Sequence, residues 1–264
     1  MNNTAIWQRH PYLVAAAIIV CTTCIRIAFL SSNQLDLVYD EAQYWDWTRH
    51  MQFSYYSKGP LIAWIIKGWT TLFGNTQFGV RFGAVFNSFL TQGILLYGMG
   101  HIMKRPIAAL WAVILANTIP LFLASGVLMT TDSPLLVCWL TSLFAIYAAS
   151  ENPERKAPYV ILCIAVALGI LAKYMMLAMA GVVFFYCIGL WRRKMLSPVF
   201  VKRAAIAIAI GTVIGFLPIL IWNMQNDWVA SAMLPSLQGL PPLLVQNRFS
   251  VLTAFLNISP LRSA

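Results

Sequence analysis

The sequence predicts an all-α protein that crosses a membrane several times. Of its 264 residues, 60% are hydrophobic and only 10% are charged, and the mean hydropathy is +0.73, whereas soluble domains carry about 25% charged residues. Apolar runs close to the ~20 residues that cross a bilayer recur along the chain. Such runs must be helical in lipid because the backbone has to satisfy its own hydrogen bonds. We therefore expect a single transmembrane domain over residues 1–264.

The first span is predicted over residues 12–30, directly after Arg9 and His10. It is long for the apolar region of a signal peptide and no small-residue cleavage site follows it, so we interpret it as a retained helix. An outer loop with interfacial helices is expected over residues 31–77. The segment DEAQYWDWTRHM in this loop predicts a helix along the membrane surface, with its Trp and Tyr rings among the lipid headgroups.

The later spans follow from the positions of the basic residues, which concentrate at the cytoplasmic ends of membrane helices. More than half of the 18 Lys and Arg lie beside apolar segments, at Arg9, at Lys104 and Arg105, at Arg155 and Lys156, and between Arg192 and Arg203. This pattern predicts a cytoplasmic N-terminus. It predicts spans over residues 78–100, 107–124, 134–149 and 204–222, two short helices within 158–190 that meet near LAKYMM, and the start of an eighth span within 240–258. The net charge of +10 is thus a signal of topology and gives no reason to expect nucleic-acid binding.

The acidic residues gather on the outer side, where all Asp and Glu except Glu151 and Glu154 are predicted. Within the outer loop, Asp40, Tyr44 and Trp47 share one face of the predicted helix. This concentration of carboxylates on one side of the membrane indicates a site at the outer surface.

Two lysines and a further acid are predicted near the same surface. Lys58 precedes Gly-Pro at the start of an apolar helix, and Asp132 opens the fourth span in TTDSP. Lys173 lies among apolar residues, where an unpaired ammonium is costly, so we expect it to have an anionic partner. The sequence therefore predicts carboxylates and two lysines in one cavity.

Several candidates also have a structural interpretation. Asp40 could cap the outer-loop helix, and Arg81 could lie at the membrane flank as readily as contact a phosphate. Cys21 and Cys24 have CxxC spacing but are expected to be packing residues within the first span. The three histidines are spread over both sides and form no ligand cluster, so no metal site is predicted.

Three segments resemble a known family in their order and topology: YDEAQYWDWTRHMQFSYYSKGPLIAW, MTTDSPLLVCWL and ALGILAKYMMLAM. They are similar to the bacterial relatives of protein O-mannosyltransferases and of the lipid A aminoarabinose transferase, which are GT-C glycosyltransferases. The resemblance covers residues 12–228 and implies a GT-C-like bundle of about seven to eight spans. Because relatives continue with further spans and often a soluble domain, the chain is expected to be an N-terminal portion.

The resemblance implies a membrane enzyme that takes a sugar from a polyprenyl phosphate, without a cofactor, at the periplasmic face of the bacterial inner membrane. Its partners would be that donor, membrane lipids, and an acceptor that is a lipid, a glycan or a protein. A metal role is not supported because Ser57 stands where the family usually has an acid. The residues implied to be catalytic are Asp40, Glu41 and Asp132, and Lys58 and Lys173 are implied to hold the donor phosphate. Further candidates for substrate binding are Tyr56, Tyr174 and Arg81.

The chemistry of glycosyl transfer requires these residue types. Displacing a phosphate from an anomeric carbon needs a base for the acceptor hydroxyl and cations for the departing phosphate. A carboxylate that acts opposite the leaving group predicts inversion.

Three alternatives remain open. A secondary transporter would place charge near the bilayer midplane and show paired halves, and no internal repeat is evident here. A purely structural membrane protein leaves the shared location of carboxylates and lysines unexplained. An inactive, truncated glycosyltransferase is the third alternative.

Overall fold

The computed structural model of the protein describes residues 6–56 and 58–226, and these residues contain helices but no β-strand. The elements in chain order are α1 (Ile6–Arg9), α2 (Pro11–Ser31), α3 (Tyr39–Trp47), α4 (Leu61–Phe73), α5 (Gln77–Tyr97), a π-helix (Gly98–Ile102), α6 (Pro106–Ala116), α7 (Pro120–Ser125), α8 (Asp132–Glu151), α9 (Ala157–Ala172), a 3₁₀-helix (Tyr174–Leu177), α10 (Ala178–Arg192) and α11 (Pro198–Gln225).

Among the described residues, four helical stretches are long and apolar enough to cross a membrane: α2, α8, the stretch Tyr174–Arg192 and α11. Helices α4, α6 and α9 are apolar but shorter. The prediction of an all-helical membrane protein with several spans is thus confirmed, while the number and direction of the spans stay predictions. The segment 240–258, where an eighth span is predicted, lies outside the described residues.

Helix α5, the predicted second span, is less apolar because one of its faces carries buried polar side chains. Arg81, Asn87, Thr91 and Gln92 on this face are all buried against neighbouring helices. Polar groups inside a membrane protein turn toward the protein interior, where they find hydrogen-bond partners. Helix α5 therefore lies inside the helix bundle on at least one side.

Helix α9 packs against α8 on one side and α11 on the other. The contact with α11 is close because Gly211 and Gly215 present no side chain. A Cβ at Gly211 would lie 2.5 Å from the carbonyl oxygen of Cys163, and one at Gly215 would lie 2.7 Å from that of Ala167. Small residues four positions apart let membrane helices approach backbone to backbone.

The predicted third span, residues 107–124, is not one continuous helix. Helix α6 ends before Asn117 and α7 begins at Pro120, because proline disfavours a helical conformation in the preceding residue. The break carries partly buried polar contacts: the Asn117 side chain accepts a hydrogen bond from Arg26 Nη2 at 2.9 Å and donates one to Gln92 at 2.6 Å.

The two short helices predicted within 158–190 are confirmed. Helix α9 ends at Ala172 and Lys173 adopts an extended conformation, with φ −161° and ψ 134°. A 3₁₀-helix and α10 follow. The change of direction leaves Lys173 just beyond the end of α9.

The aromatic residues of α3 differ from the expectation that they lie among lipid headgroups. Tyr44 and Trp47 are only 2% and 8% exposed and pack in a cluster with Ile62 and Val80. The Tyr55 ring stacks on Trp47 with centroids 4.2 Å apart. The expectation was wrong for these rings because they fill a small protein core beneath the outer loop.

Candidate active site

A buried ion pair between Glu41 and Arg81 joins α3 to α5. Glu41 is 0% and Arg81 is 3% exposed. Arg81 Nη2 donates to Glu41 Oε2 at 2.7 Å, and Arg81 Nε lies 2.9 and 3.0 Å from the two carboxylate oxygens. Charge-assisted contacts that use both nitrogens of the guanidinium edge fix orientation as well as contributing energy.

The remaining hydrogen-bonding groups of this pair bind backbone. Arg81 donates to the carbonyl oxygens of Leu35 and Asp36. Glu41 accepts from the amides of Val38 at 3.1 Å and Met129 at 2.8 Å, and the Val38 contact is one half of a capping box.

Glu41 and Arg81 therefore differ from the expectation that they contact substrate. The two side chains satisfy each other in the protein interior, and together they hold α3 against α5 and against the segment that leads into α8. Glu41 also caps α3, which is the structural role considered above for Asp40.

Asp40 lies on the exposed side of the first turn of α3. Within the part of the chain that the structure describes, its carboxylate accepts no hydrogen bond and forms no ion pair. Burial raises the pKa of the Tyr44 hydroxyl to about 12, and the negative charges of Asp40 and Asp132 contribute to this rise. Both carboxylates therefore lie close enough to Tyr44 to oppose its ionisation.

Asp132 and Lys173 form an ion pair at the ends of two neighbouring helices. Lys173 Nζ lies 2.6 Å from Asp132 Oδ1, and the side chains are 26% and 59% exposed respectively. The expectation of an anionic partner for Lys173 is confirmed. Asp132 is also in the first turn of α8, where a negative charge is favourable at the positive end of the helix dipole.

The segment that carries Lys58 packs against the end of α9 at Gly59. A Cβ at Gly59 would lie 2.0 Å from the carbonyl oxygen of Leu171, two residues before Lys173. Lys58 is partly buried, and among the described residues no hydrogen bond or ion pair involves its ammonium. We use the term "charged outer site" for Asp40, Lys58, Asp132 and Lys173.

Residues 57–222 match the family described as dolichyl-phosphate-mannose-protein mannosyltransferase. The chain belongs to this family. The matched region includes Lys58, Asp132 and Lys173, whereas Asp40 precedes it. With its helical architecture, the match assigns the chain to the GT-C type of membrane glycosyltransferases.

The protein is also similar to the lipid A galacturonosyltransferase RgtD of Rhizobium johnstonii. The two are 28% identical over 214 residues, which is 80% of this chain and 43% of that protein. The chain thus spans less than half the length of this relative. No solved structure matches the chain.

Two tyrosines predicted to bind substrate, Tyr56 and Tyr174, lie near the residues that precede Lys58. The Tyr56 hydroxyl is hydrogen-bonded to the Gln43 side chain. The Tyr174 ring stacks on Phe216 of α11 with centroids 5.9 Å apart, and its hydroxyl approaches Ser54. Both rings are therefore fixed next to the loop that carries Lys58.

Trp222, near the end of α11, is hydrogen-bonded to this loop. Its Nε1 donates to the side-chain oxygen of Gln52, and the Gln52 carbonyl accepts from Trp64 Nε1 at 3.3 Å. Trp222 and Gln52 are 170 positions apart, so no local spacing in the sequence indicates the contact.

A metal site is not evident in the part of the chain that the structure describes. Among those residues, no group of three His, Cys, Asp or Glu side chains is placed to hold an ion.

Substitution of Gly59 by Ala is expected to destabilise the protein by at least about 1–3 kcal/mol, the usual cost of overpacking. The added methyl group would meet the backbone carbonyl of Leu171 at 2.0 Å, and this carbonyl moves only if α9 moves. Thermal unfolding in detergent measures the change. Gly68→Ala is the matched control, since no atom lies within 4 Å of a Cβ there. Equal unfolding temperatures for Gly59→Ala and Gly68→Ala would contradict the close contact.

Proposed function

We propose that the protein transfers a sugar from a polyprenyl-phosphate donor to an acceptor hydroxyl at the periplasmic face of the bacterial inner membrane, with inversion at the anomeric carbon. The observation that carries the proposal is the charged outer site. Its Asp132–Lys173 ion pair lies at the end of α9 against which the Lys58 segment packs, and Asp40 has no hydrogen-bond or ion-pair partner among the described residues. The family match supports the reaction class, since that family is described by a sugar attached to a lipid phosphate.

Asp40 is the proposed general base. Its carboxylate accepts the proton of the acceptor hydroxyl while the hydroxyl oxygen forms a bond to the anomeric carbon. The bond between that carbon and the phosphate oxygen breaks on the opposite face, and its electron pair leaves with the polyprenyl phosphate. A single displacement of this kind inverts the configuration, and a positioned base contributes about 10²- to 10⁴-fold to the rate. Asp40 suits this role because its carboxylate has no competing partner among the described residues.

Lys58 and Lys173 are the proposed phosphate ligands. Preorganised cations are most effective where negative charge develops in the transition state, which here is the departing phosphate. Asp132 is a positioning residue in this scheme, because its 2.6 Å contact with Lys173 Nζ holds the ammonium beside the site. Glu41 and Arg81 position α3 and do not contact substrate.

Tyr56 and Tyr174 are proposed to contact the sugar or the first part of the lipid, since both rings lie next to the loop that carries Lys58. The acceptor is proposed to be a lipid rather than a glycan or a protein, because the relative RgtD is named for transfer to lipid A. The location of the charges at helix ends favours an enzyme over a transporter, in which charge near the bilayer midplane is expected.

Removal of either lysine tests the proposal through donor binding. Lys58→Ala and Lys173→Ala should each weaken the binding of polyprenyl-phosphate sugars by about 10- to 100-fold, because a hydrogen bond to a charged group contributes about 1.5–3 kcal/mol. The measurement is donor affinity of the purified chain in nanodiscs, over a panel of sugars, together with transfer to lipid acceptors.

The matched control is Lys67→Ala, which removes an exposed lysine in the middle of α4 and should leave donor affinity unchanged. Wild-type affinity in both Lys58→Ala and Lys173→Ala would exclude the proposed phosphate site.

A further inference from the structure

A groove with a volume of about 710 Å³ opens at the opposite end of the helix bundle from the charged outer site. It is formed by α5, the π-helix, α8 and the start of α9. Asp132 begins the 20-residue helix α8 and Glu151, on the groove rim, ends it, so the two ends are about 30 Å apart at 1.5 Å per residue. The groove is therefore separate from the site proposed for sugar transfer.

The wall of the groove is apolar and open to the surroundings. Phe89, Phe144 and Ile161 line it, and Phe89 and Ile161 are exposed. Two glycines shape it: a Cβ at Gly98 would lie 2.4 Å from the Phe144 ring, whereas no atom lies within 4 Å of a Cβ at Gly93. The Phe144 ring thus packs tightly on Gly98, and the absence of a side chain at Gly93 keeps the groove open.

The rim of the groove is basic. His101, Lys104 and Arg155 lie on it with one acid, Glu151. The imidazole of His101 is held between two tyrosines, stacked on Tyr12 with centroids 4.9 Å apart and 5.5 Å from the Tyr97 ring. Two permanent cations and a histidine against one carboxylate favour an anionic ligand.

The backbone at this rim is specialised. The segment Gly98–Ile102 forms a π-helix in which Met103 N–H donates to Gly98 O at 2.9 Å. Such segments are rare and occur often at functional sites. Here the π-helix contributes Gly98 to the apolar wall and His101 to the basic rim. A single helical turn therefore belongs to both parts of the groove.

We propose that the groove binds one anionic glycerophospholipid, with an acyl chain along the apolar wall and its phosphate at Lys104, Arg155 and His101. The volume lies within the range of about 300–1,000 Å³ that is usual for small-ligand sites. Basic side chains near the membrane surface attract anionic lipids, and basic pockets between membrane helices bind their headgroups. This end of the bundle is the one that the basic residues predict as cytoplasmic. The proposal does not depend on the one for sugar transfer.

The cations of the groove itself favour a phospholipid over the lipid tail of a sugar donor as its occupant. The lysines proposed for the donor phosphate lie at the other end of α8, whereas the groove has cations of its own at its mouth. A phospholipid of the adjacent leaflet satisfies both the apolar wall and the basic rim.

Native mass spectrometry of the delipidated chain, titrated with phosphatidylglycerol or with phosphatidylcholine of the same acyl chains, tests the proposal. The wild type should retain one phosphatidylglycerol with at least tenfold higher affinity than phosphatidylcholine. Gly93→Phe should lower phosphatidylglycerol affinity at least tenfold, because the ring would occupy the open groove. Gly189→Phe is the matched control: it places the same ring at an exposed glycine of α10 with no atom within 4 Å and should bind like the wild type.

A second variant keeps the test valid if Gly93→Phe does not fold. The double variant Lys104→Gln/Arg155→Gln changes two exposed side chains and should abolish the preference for phosphatidylglycerol over phosphatidylcholine. Binding of the sugar donor, which depends on Lys58 and Lys173, should stay at the wild-type level in this variant. Three results would overturn the proposal: equal wild-type affinities for the two phospholipids, a preference that survives in the double variant, or displacement of phosphatidylglycerol from the groove by polyprenyl phosphate.

Discussion

Asp40→Asn is expected to lower the rate of sugar transfer by about 10²- to 10⁴-fold, the contribution of a general base. The amide has the size of the carboxylate but cannot accept the proton of the acceptor hydroxyl. Stability should not change, since the exposed Asp40 carboxylate has no hydrogen-bond or ion-pair partner within the described residues. Donor affinity should also stay at the wild-type level. The measurements are single-turnover transfer with bound donor, donor affinity and thermal unfolding.

Asp46→Asn is the matched control for this experiment. Asp46 lies on the same short helix and its side chain is 66% exposed, in a loose 3.7 Å contact with Arg49. The substitution removes the same charge from α3 without touching the charged outer site, so transfer should be unaffected. Wild-type turnover by Asp40→Asn would remove Asp40 from the mechanism even if the lysine variants lost donor binding.

Arg81→Ala is expected to destabilise the protein by about 3–5 kcal/mol, which is the usual effect of removing one partner of a buried ion pair. Glu41 would then be buried without a counter-ion, and the carbonyl oxygens of Leu35 and Asp36 would lose their donors. Chemical or thermal unfolding in detergent measures this loss. Sugar transfer should fall in parallel, because the position of α3, and with it Asp40, depends on the pair.

Two further variants separate the effect of charge from that of lost packing. In Glu41→Gln/Arg81→Met both charges are absent, so most of the stability should return, as is common when an apolar residue replaces a buried pair. Arg49→Ala removes an arginine from an exposed pair and should cost no more than about 1 kcal/mol. Wild-type stability of Arg81→Ala, or a double variant as unstable as the single one, would contradict the uncompensated-charge explanation.

Features of the fold that depend on local composition could be predicted from the sequence. The helical membrane architecture follows from hydropathy, and the interruption near Lys173 follows from the short distance between two basic clusters. The anionic partner of Lys173 was predictable as a type, because an ammonium among apolar residues requires a counter-ion. Its identity as Asp132 was not, because the two residues are 41 positions apart.

The interior of the outer loop could not be predicted by the same reasoning. Acids were expected on the outer surface, yet Glu41 is fully buried, since Arg81 on α5 compensates its charge. One local signal was present: Glu41, Tyr44 and Thr48 have i, i+3, i+7 spacing, which marks one face of a helix, and all three are buried. A hydropathy pattern does not identify this face as buried because its first residue, Glu41, is charged.

The close contact of α11 with α9 through Gly211 and Gly215 has a mechanical consequence. The two backbones are in direct contact at these glycines, so one helix cannot slide past the other without a steric clash. Helix α9 ends at Ala172, directly before Lys173, while α11 is tethered to the Lys58 loop by Trp222 and Gln52. A tilt of this two-helix unit would carry both lysines along together and preserve their spacing.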